Sequence, residues 1–235
     1  MKRVLIGCPV YERGWILPTW LSHIEQVFDA AQWWQPQFVF AYTPSSDDTH
    51  RVLDGIAYQK TILYHREGYH TTKRSWPVQK IETMVAMRNR LLDFAYETKP
   101  DVYVSLDSDV LVTSEFIKLL NWAYSNKSGA ISPLVYLGPG KTTNAFYFRQ
   151  GRAAHRLPPD LSLQRVSVIC AAKFMGLKLL LDQKVRYEPD SRGEDFGWSK
   201  SARKYGYQLY WDPAVAFKHV MARDKLHETD ARIGW

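Results

Sequence analysis

Two kinds of segment are missing from this sequence, and each absence narrows what the chain can be. No stretch approaches the roughly 18 consecutive apolar residues that cross a bilayer, and the N-terminus runs into Val4-Leu5-Ile6 without the apolar core of a secretory leader. A cytosolic protein with no membrane insertion is therefore expected. Cysteine is equally scarce. Cys8 and Cys170 are far apart and sit inside apolar runs, which fits two buried thiols in a reducing compartment better than a disulfide framework and matches no zinc spacing. Repeats, linkers and low-complexity tracts are absent too. Negative charge is in the minority, with 24 Asp+Glu against 31 Lys+Arg and a net charge of +7. That balance favours anionic partners such as nucleotide phosphates, nucleic acid or acidic lipid.

What is present reads as one domain. A chain of 235 residues with 46% hydrophobic and 23% charged residues can bury a sizeable core. The aromatic fraction of 14%, with 9 Trp, is high. Such rings can line a sugar or base pocket, or serve as plain core.

Strand and helix signals alternate. Strands are expected over 4–10, 38–42, 61–64, 102–106, 130–135, 166–170, 207–211 and 215–219. Helices are expected over 15–33, 49–58, 78–97, 114–124 with Ser114 as N-cap, 174–182 and 192–205, the last ended by Gly206. The order predicts an α/β fold whose mixed, mainly parallel sheet is flanked by helices. Residues 137–160, turn-rich at first and then carrying Arg149, Arg152, His155 and Arg156 among Phe146, Tyr147 and Phe148, read as an exposed, mobile loop.

The most informative stretch is Val102-Tyr103-Val104-Ser105-Leu106-Asp107-Ser108-Asp109-Val110. An apolar run bounded by polar residues reads as a strand buried on both faces, and parallel sheets bind ligands beyond the carboxyl ends of their strands. Asp107 and Asp109 occupy that end. Residues two apart in an extended chain face the same side, so both carboxylates can meet one hard cation, Mg²⁺ or Mn²⁺. In the long helix before this strand, Ile81, Met84, Val85, Leu91, Leu92 and Ala95 form an apolar stripe with Arg88 at its centre. A guanidinium aimed at a core needs a counter-charge, either a carboxylate or a bound phosphate.

The succession of Ser45-Ser46-Asp47-Asp48-Thr49, Arg88-Asn89-Arg90, Asp107-Ser108-Asp109, Gly193-Glu194-Asp195 and His219 resembles the GT-A (Rossmann-like) class of nucleotide-sugar-dependent glycosyltransferases over roughly residues 2–220. The resemblance implies a nucleotide-sugar-binding half over 1–110 and an acceptor and catalytic half over 111–235. It gives donor-binding roles to Pro9, Tyr11, Glu12, Asp47 or Asp48, Arg88, Asp107 and Ser108. Asp109 would bind the metal directly, with Asp107 on the ribose or on a metal-bound water, His219 completing the metal site and His227 in reserve. Asp195, with Glu194 as runner-up, would be the base that takes the acceptor hydroxyl's proton, and Trp198 would stack on acceptor or sugar. A UDP-sugar donor, inversion at the anomeric carbon and Mn²⁺ or Mg²⁺ follow from the same resemblance.

The acceptor is less constrained. The basic, aromatic segment carrying Arg149, Arg152 and Arg156, with Lys200, Arg203 and Lys204, suits a phosphate backbone and unstacked bases. A compact basic transferase of this kind resembles phage-type enzymes that glycosylate hydroxymethylated pyrimidines in DNA, while a protein or glycan acceptor is the alternative. Asp-x-Asp after an apolar strand also resembles haloacid-dehalogenase phosphatases. Their second acidic pair follows a strand, whereas Glu188-Pro189-Asp190-Ser191-Arg192-Gly193 reads as a turn. A non-catalytic nucleotide-sugar or nucleic-acid binding module is the remaining alternative.

Overall fold

A computed structural model of the chain describes residues 1–65, 78–137, 142–149, 152–154 and 160–228, without the side chains of 78, 79, 149 and 152–154. Its elements in chain order are β1 (Lys2–Val10), α1 (Leu17–Asp29), β2 (Trp34–Tyr42), α2 (Thr49–Asp54), β3 (Lys60–Tyr64), α3 (Val78–Thr98), β4 (Val102–Leu106) and β5 (Val110–Leu111). Then follow α4 (Phe116–Ser125), β6 (Gly129–Leu134), β7 (Ala145–Arg149), β8 (Arg152–Ala154), β9 (Gln164–Val166) and β10 (Val168–Ile169). The chain continues through β11 (Ala172–Gly176), α5 (Leu177–Leu180), α6 (Glu194–Lys204), β12 (Gln208–Ala216) and β13 (Lys218–His219).

Eight strands form one sheet in the order β3-β2-β1-β4-β11-β6-β12-β9. The pairings of β3, β2, β1 and β4 are parallel, as is that of β6 with β12, while β11 runs antiparallel to both β4 and β6 and β9 antiparallel to β12. The sheet is thus mixed and mainly parallel, as expected. The reversal of β11 matters for the site: its first residue, Ala172, lies opposite Leu106, the last residue of β4. The turn into β11 therefore arrives at the edge where β4 delivers Asp107 and Asp109.

Helices cover both faces. Leu17, Trp20, Ile24 and Phe28 of α1 and Phe116, Leu119 and Leu120 of α4 pack with Val4, Ile6, Val104 and Leu106 on one side. Met87, Leu91 and Ala95 of α3, Leu179 and Leu180 of α5, and Trp198 and Ala202 of α6 pack with Leu5, Tyr103 and Met175 on the other. Burial on both faces is what the near-continuous apolar reading of β1 and β4 requires.

Three expectations are corrected. The segment expected as a helix over 174–182 is split: residues 174–176 belong to strand β11, which is buried at all five of its positions, and helix is confined to Leu177–Leu180. A short apolar run carries no period that separates a buried strand from a buried helix. Glu115 rather than Ser114 precedes α4, and no side chain caps it. The loop expected over 137–160 contains a hairpin in which β7 pairs with β8, Arg149 facing Arg152, and with β10; residues 138–141, 150–151 and 155–159 lie outside the described residues. Among the described residues no helix is long and apolar enough to cross a membrane.

Candidate active site

The carboxyl edge of the sheet gathers four acidic side chains, each matched with a cation. Asp107 and Asp109 follow β4, and Glu194 and Asp195 open α6 after Gly193, whose φ of 123° favours glycine. A β-carbon on Gly197 would lie 1.8 Å from the Glu188 carbonyl oxygen, so only glycine lets the 188 backbone lie flush on the helix that carries the acids.

Arg88 is 2% exposed and centres one half of the site. Its Nη2 donates to Asp107 Oδ1 at 2.5 Å, its Nε to Glu194 Oε1 at 3.0 Å and its Nη1 to Ser105 Oγ at 3.0 Å. The carboxylate alternative for this buried guanidinium is the one the structure shows. Burial pushes the carboxyl of Asp107 above its usual range against the pull of Arg88, and burial together with the Asp195 charge does the same to Glu194. Tyr187 closes the network, its hydroxyl 3.2 Å from Ser105 Oγ and its backbone clamped by Asn89, which accepts from Tyr187 N–H and donates to its carbonyl, both at 3.0 Å.

Asp195 is held separately. Its Oδ1 accepts from Lys173 Nζ at 2.5 Å and its Oδ2 from the Ala171 N–H at 3.1 Å. Burial would raise this carboxyl, yet Lys173 and Arg88 overcome it and hold the group below the ordinary aspartate range. Two accepted hydrogen bonds leave a carboxylate with about two free lone-pair sites.

Asp109 meets His219 through local strand pairing. β13 lies antiparallel to β5 with His219 opposite Val110, and Val220 N–H donates to the Asp109 carbonyl at 2.8 Å. His219 Nε2 then stands 3.4 Å from Asp109 Oδ1, while Arg13 Nη2 stands 3.4 Å from Oδ2. Burial works against both charges; the contact between His219 and Asp109 nevertheless holds the imidazole above its usual pKa and, with Arg13, the carboxyl below its own. His219 Nδ1 is 3.2 Å from the Tyr136 carbonyl, which can only accept, so Nδ1 carries a proton and Nε2 is the nitrogen available to a metal.

Cis ligands of an octahedral cation with bonds of about 2.1 Å stand about 3 Å apart, so Asp109 Oδ1 and His219 Nε2 suit two adjacent positions. The expected third ligand does not join them. Asp107 is turned to Arg88, His227 is exposed, and among the described residues no group of three His, Cys, Asp or Glu could hold a metal ion. Two donors from the chain would suit a hard cation that takes its remaining ligands from substrate and water, as Mg²⁺ does in phosphate sites.

The loop after β1 is tied to the loop after β2. Asp47 accepts from Gly14 N–H at 2.9 Å and from Thr49 N–H at 3.1 Å, and Thr49 Oγ1 accepts from Arg13 N–H at 2.7 Å. Glu12, exposed and at φ 51°, accepts from Ser46 at 3.2 Å, and Tyr11 lies beside it, half-buried. Asp48 is exposed and paired with Arg51, while Pro9 and Ser108 are buried. The structure thus brings Tyr11, Glu12 and Asp47 to the edge that carries Asp109.

Trp198 is a correction. It is 0% exposed and packs on Tyr187, with ring centroids 6.0 Å apart, so it cannot stack on an acceptor. Glu194, one helical turn before it, is itself buried, and the shared face carries the tryptophan into the core. The side chains of Arg149 and Arg152, and all of Arg156, lie outside the described residues. Lys173, Arg13, Ser105 and Tyr187 are site residues that sequence reasoning missed. Lys173 had a usable signal, a lone cation inside the apolar run from Val166 to Met175.

No protein-family model and no curated protein matches the chain. Solved structures do. The A197 protein from STIV superposes with a TM-score of 0.60 over 94% of this chain and 87% of that one at 13% identity. TarS 1–349 from S. aureus in complex with UDP-GlcNAc gives 0.61 at 13% identity over 98% of this chain and 60% of that one. GalNAc-T7 with UDP, GalNAc and Mn²⁺ gives 0.63 at 12% identity over 92% of this chain and 42% of that one. The fold is that of the GT-A glycosyltransferases. The chain spans most of the STIV protein but under two thirds of the TarS and GalNAc-T7 chains.

Proposed function

We propose that the protein is a glycosyltransferase that moves a sugar from a UDP-sugar, with a divalent cation, to an acceptor hydroxyl with inversion. The observation that carries this reading is the convergence at one sheet edge of Asp109 with His219 and of Asp195 with Glu194 in a GT-A fold. The fold's solved neighbours TarS and GalNAc-T7 are described with UDP-GlcNAc, and with UDP, GalNAc and Mn²⁺, respectively.

In this reading Asp109 and His219 would hold Mn²⁺ or Mg²⁺, which would supply charge stabilisation for the departing diphosphate. Tyr11, Glu12 and Asp47 border the nucleotide. Arg88 keeps Asp107 and Glu194 in place and offsets part of their negative charge next to the leaving group. Asp195 accepts the acceptor's proton as the hydroxyl oxygen bonds to the anomeric carbon and that carbon's bond to the diphosphate oxygen breaks. A weak oxygen nucleophile needs such a base within hydrogen-bond reach. Asp195 suits the role because Lys173 keeps it ionised. Glu194 is committed to Arg88.

For the acceptor we favour a 5-hydroxymethyl pyrimidine in DNA over a protein or glycan. The net charge of +7 supports a polyanion, as do the cations on the α6 side, where the Arg192 and Arg203 guanidinium carbons lie 5.1 and 5.3 Å from the Phe148 ring. A phosphatase is disfavoured because the second acidic pair opens a helix after an irregular segment instead of following a strand.

The test is a panel of nucleotide sugars with Mn²⁺, with and without hydroxymethylated duplex DNA, read by product mass. Metal-dependent release of UDP supports an enzyme, and its absence across all donors favours a binding module. Asp195→Asn should abolish transfer while UDP still binds; substantial residual transfer would overturn the role of Asp195. DNA as acceptor is rejected if activity is indifferent to it.

A further inference from the structure

Lys173 touches no reacting atom in the chemistry set out above, and as a stabilising device alone it is hard to explain. It is 0% exposed on β11, between β4 and β6, and a buried ion pair can often be exchanged for well-packed apolar residues without loss of stability. Its placement is specific. Lys173 stands opposite Ser105 of β4, so its ammonium comes up beside the residues that lead into Asp107. The ring centroids of Tyr187 and Trp198 lie 5.4 and 5.8 Å from Nζ, apolar walls that confine the charge. Two residues earlier Ala171 adopts φ 66°, a left-handed conformation that is costly for a residue with a β-carbon, and from there its N–H meets Asp195 Oδ2. One short segment thus aims two donors, one at each oxygen of the same carboxylate.

We propose that Lys173 is a positioning residue for Asp195, its ammonium and the Ala171 N–H together holding that carboxylate as a single-orientation anion facing the acceptor. The inference rests on the glycosyltransferase reading for the purpose of the contact, though not for its existence. The groups around Asp195 make the ammonium necessary. Glu194 on the same helix and Asp107 after β4 are negative; Arg88 on α3 is positive but already shared between those two; Cys170 is a buried, neutral thiol. Without Lys173, Asp195 would be a third carboxyl around one guanidinium, and protonation would relieve it. An opposite charge at this range lowers a carboxyl pKa by about 1–3 units.

The experiment compares wild type with Lys173→Met, and with Lys173→Gln in case the first does not fold. Three quantities are read: kcat and KM against pH, UDP affinity by calorimetry, and titration of the Asp195 carboxyl by ¹³C NMR, its signal identified by loss in Asp195→Asn. Both neutral variants should move the acid limb of kcat up by about 1–3 pH units, with the Asp195 titration moving in step and the UDP Kd unchanged within about twofold. Lys173→Arg, which keeps the charge, should restore the wild-type limb. A pH-independent loss of kcat, or an Asp195 titration unmoved in the neutral variants, overturns the proposal. If wild type turns over no donor, the glycosyltransferase reading fails, and the NMR titration alone then decides whether Lys173 holds Asp195.

Discussion

Replacing Arg88 by Met tests the centre of the site by removing one cation from between two buried carboxylates. Methionine fills most of the same volume, so the cost is electrostatic: Asp107 and Glu194 lose their counter-charge where burial has already raised both. Removing one partner of a buried ion pair costs about 3–5 kcal/mol, and here one deletion strips two pairs, so the upper part of that range is expected at pH 8. In a domain of this size each kcal/mol lowers Tm by roughly 2–4 °C, which puts the loss at roughly 10–20 °C. The sign with pH separates charge from packing. A carboxyl whose folded pKa lies above its unfolded value destabilises the fold progressively as pH rises from the unfolded value to the folded one, and the penalty, complete above the folded value, fades as pH falls through it. The gap between wild type and Arg88→Met should therefore narrow from pH 8 to pH 5, measured by urea unfolding at each pH. A gap that stays constant over that range, or one below about 1 kcal/mol at pH 8, would show that Arg88 acts as filler and not as the counter-ion.

The same sign argument applies to the pair of His219 and Asp109. The raised imidazole contributes stability below its unfolded pKa of about 6.5 that is lost as pH rises through the folded value, whereas the lowered carboxyl contributes above about 3.9 and loses it as pH falls through its own. His219→Gln should thus be less stable than wild type at pH 6 by urea midpoint, with a deficit that shrinks towards pH 9. Gly197→Ala places a β-carbon against the Glu188 carbonyl and should cost about 1–3 kcal/mol in thermal unfolding while impairing transfer, because α6 must shift. Trp198→Ala should lower stability by about 3–5 kcal/mol and leave the KM for acceptor nearly unchanged in the fraction that stays folded; a selective rise in that KM would restore Trp198 to the acceptor site.

How much of this was legible in the sequence depended on whether a feature declared its own period. β1 and β4 are buried on both faces and read as strands from their apolar runs, and the polar break after Leu106 placed Asp107 and Asp109 at the sheet edge. Arg88 was legible for the same reason, as a cation out of place on an apolar stripe. β11 was not, because five buried residues running into Leu177–Leu180 look alike as strand or helix, and its antiparallel direction is set by partners distant in sequence. Losing β11 concealed Lys173. It also hid the reason Asp195 is anionic, since that follows from a turn at Ala171 with no signature in residue type.

Charge matching across the site leads to one more expectation. Asp107 and Glu194 face Arg88, Asp195 faces Lys173, and Asp109 faces both Arg13 and His219, so the four carboxylates are balanced only when His219 is protonated. A dication entering alone must displace the proton of His219 and face Arg13, whereas a diphosphate entering alone adds negative charge beside four acids. Each is disfavoured without the other, and together they nearly cancel. Mn²⁺ and UDP should therefore bind cooperatively, each tightening the other by the same factor, as linkage requires of two equilibria on one protein. A coupling of 1–3 kcal/mol, about 5–150-fold, is the range to expect. Calorimetric titration of Mn²⁺ with and without UDP, and of UDP with and without Mn²⁺, measures the factor twice. Proton release on forming the ternary complex, read in buffers of different ionisation enthalpy, should fall as pH rises through the folded pKa of His219. Independent binding of the two ligands, or no proton release near neutral pH, would refute the charge argument and remove His219 from the metal.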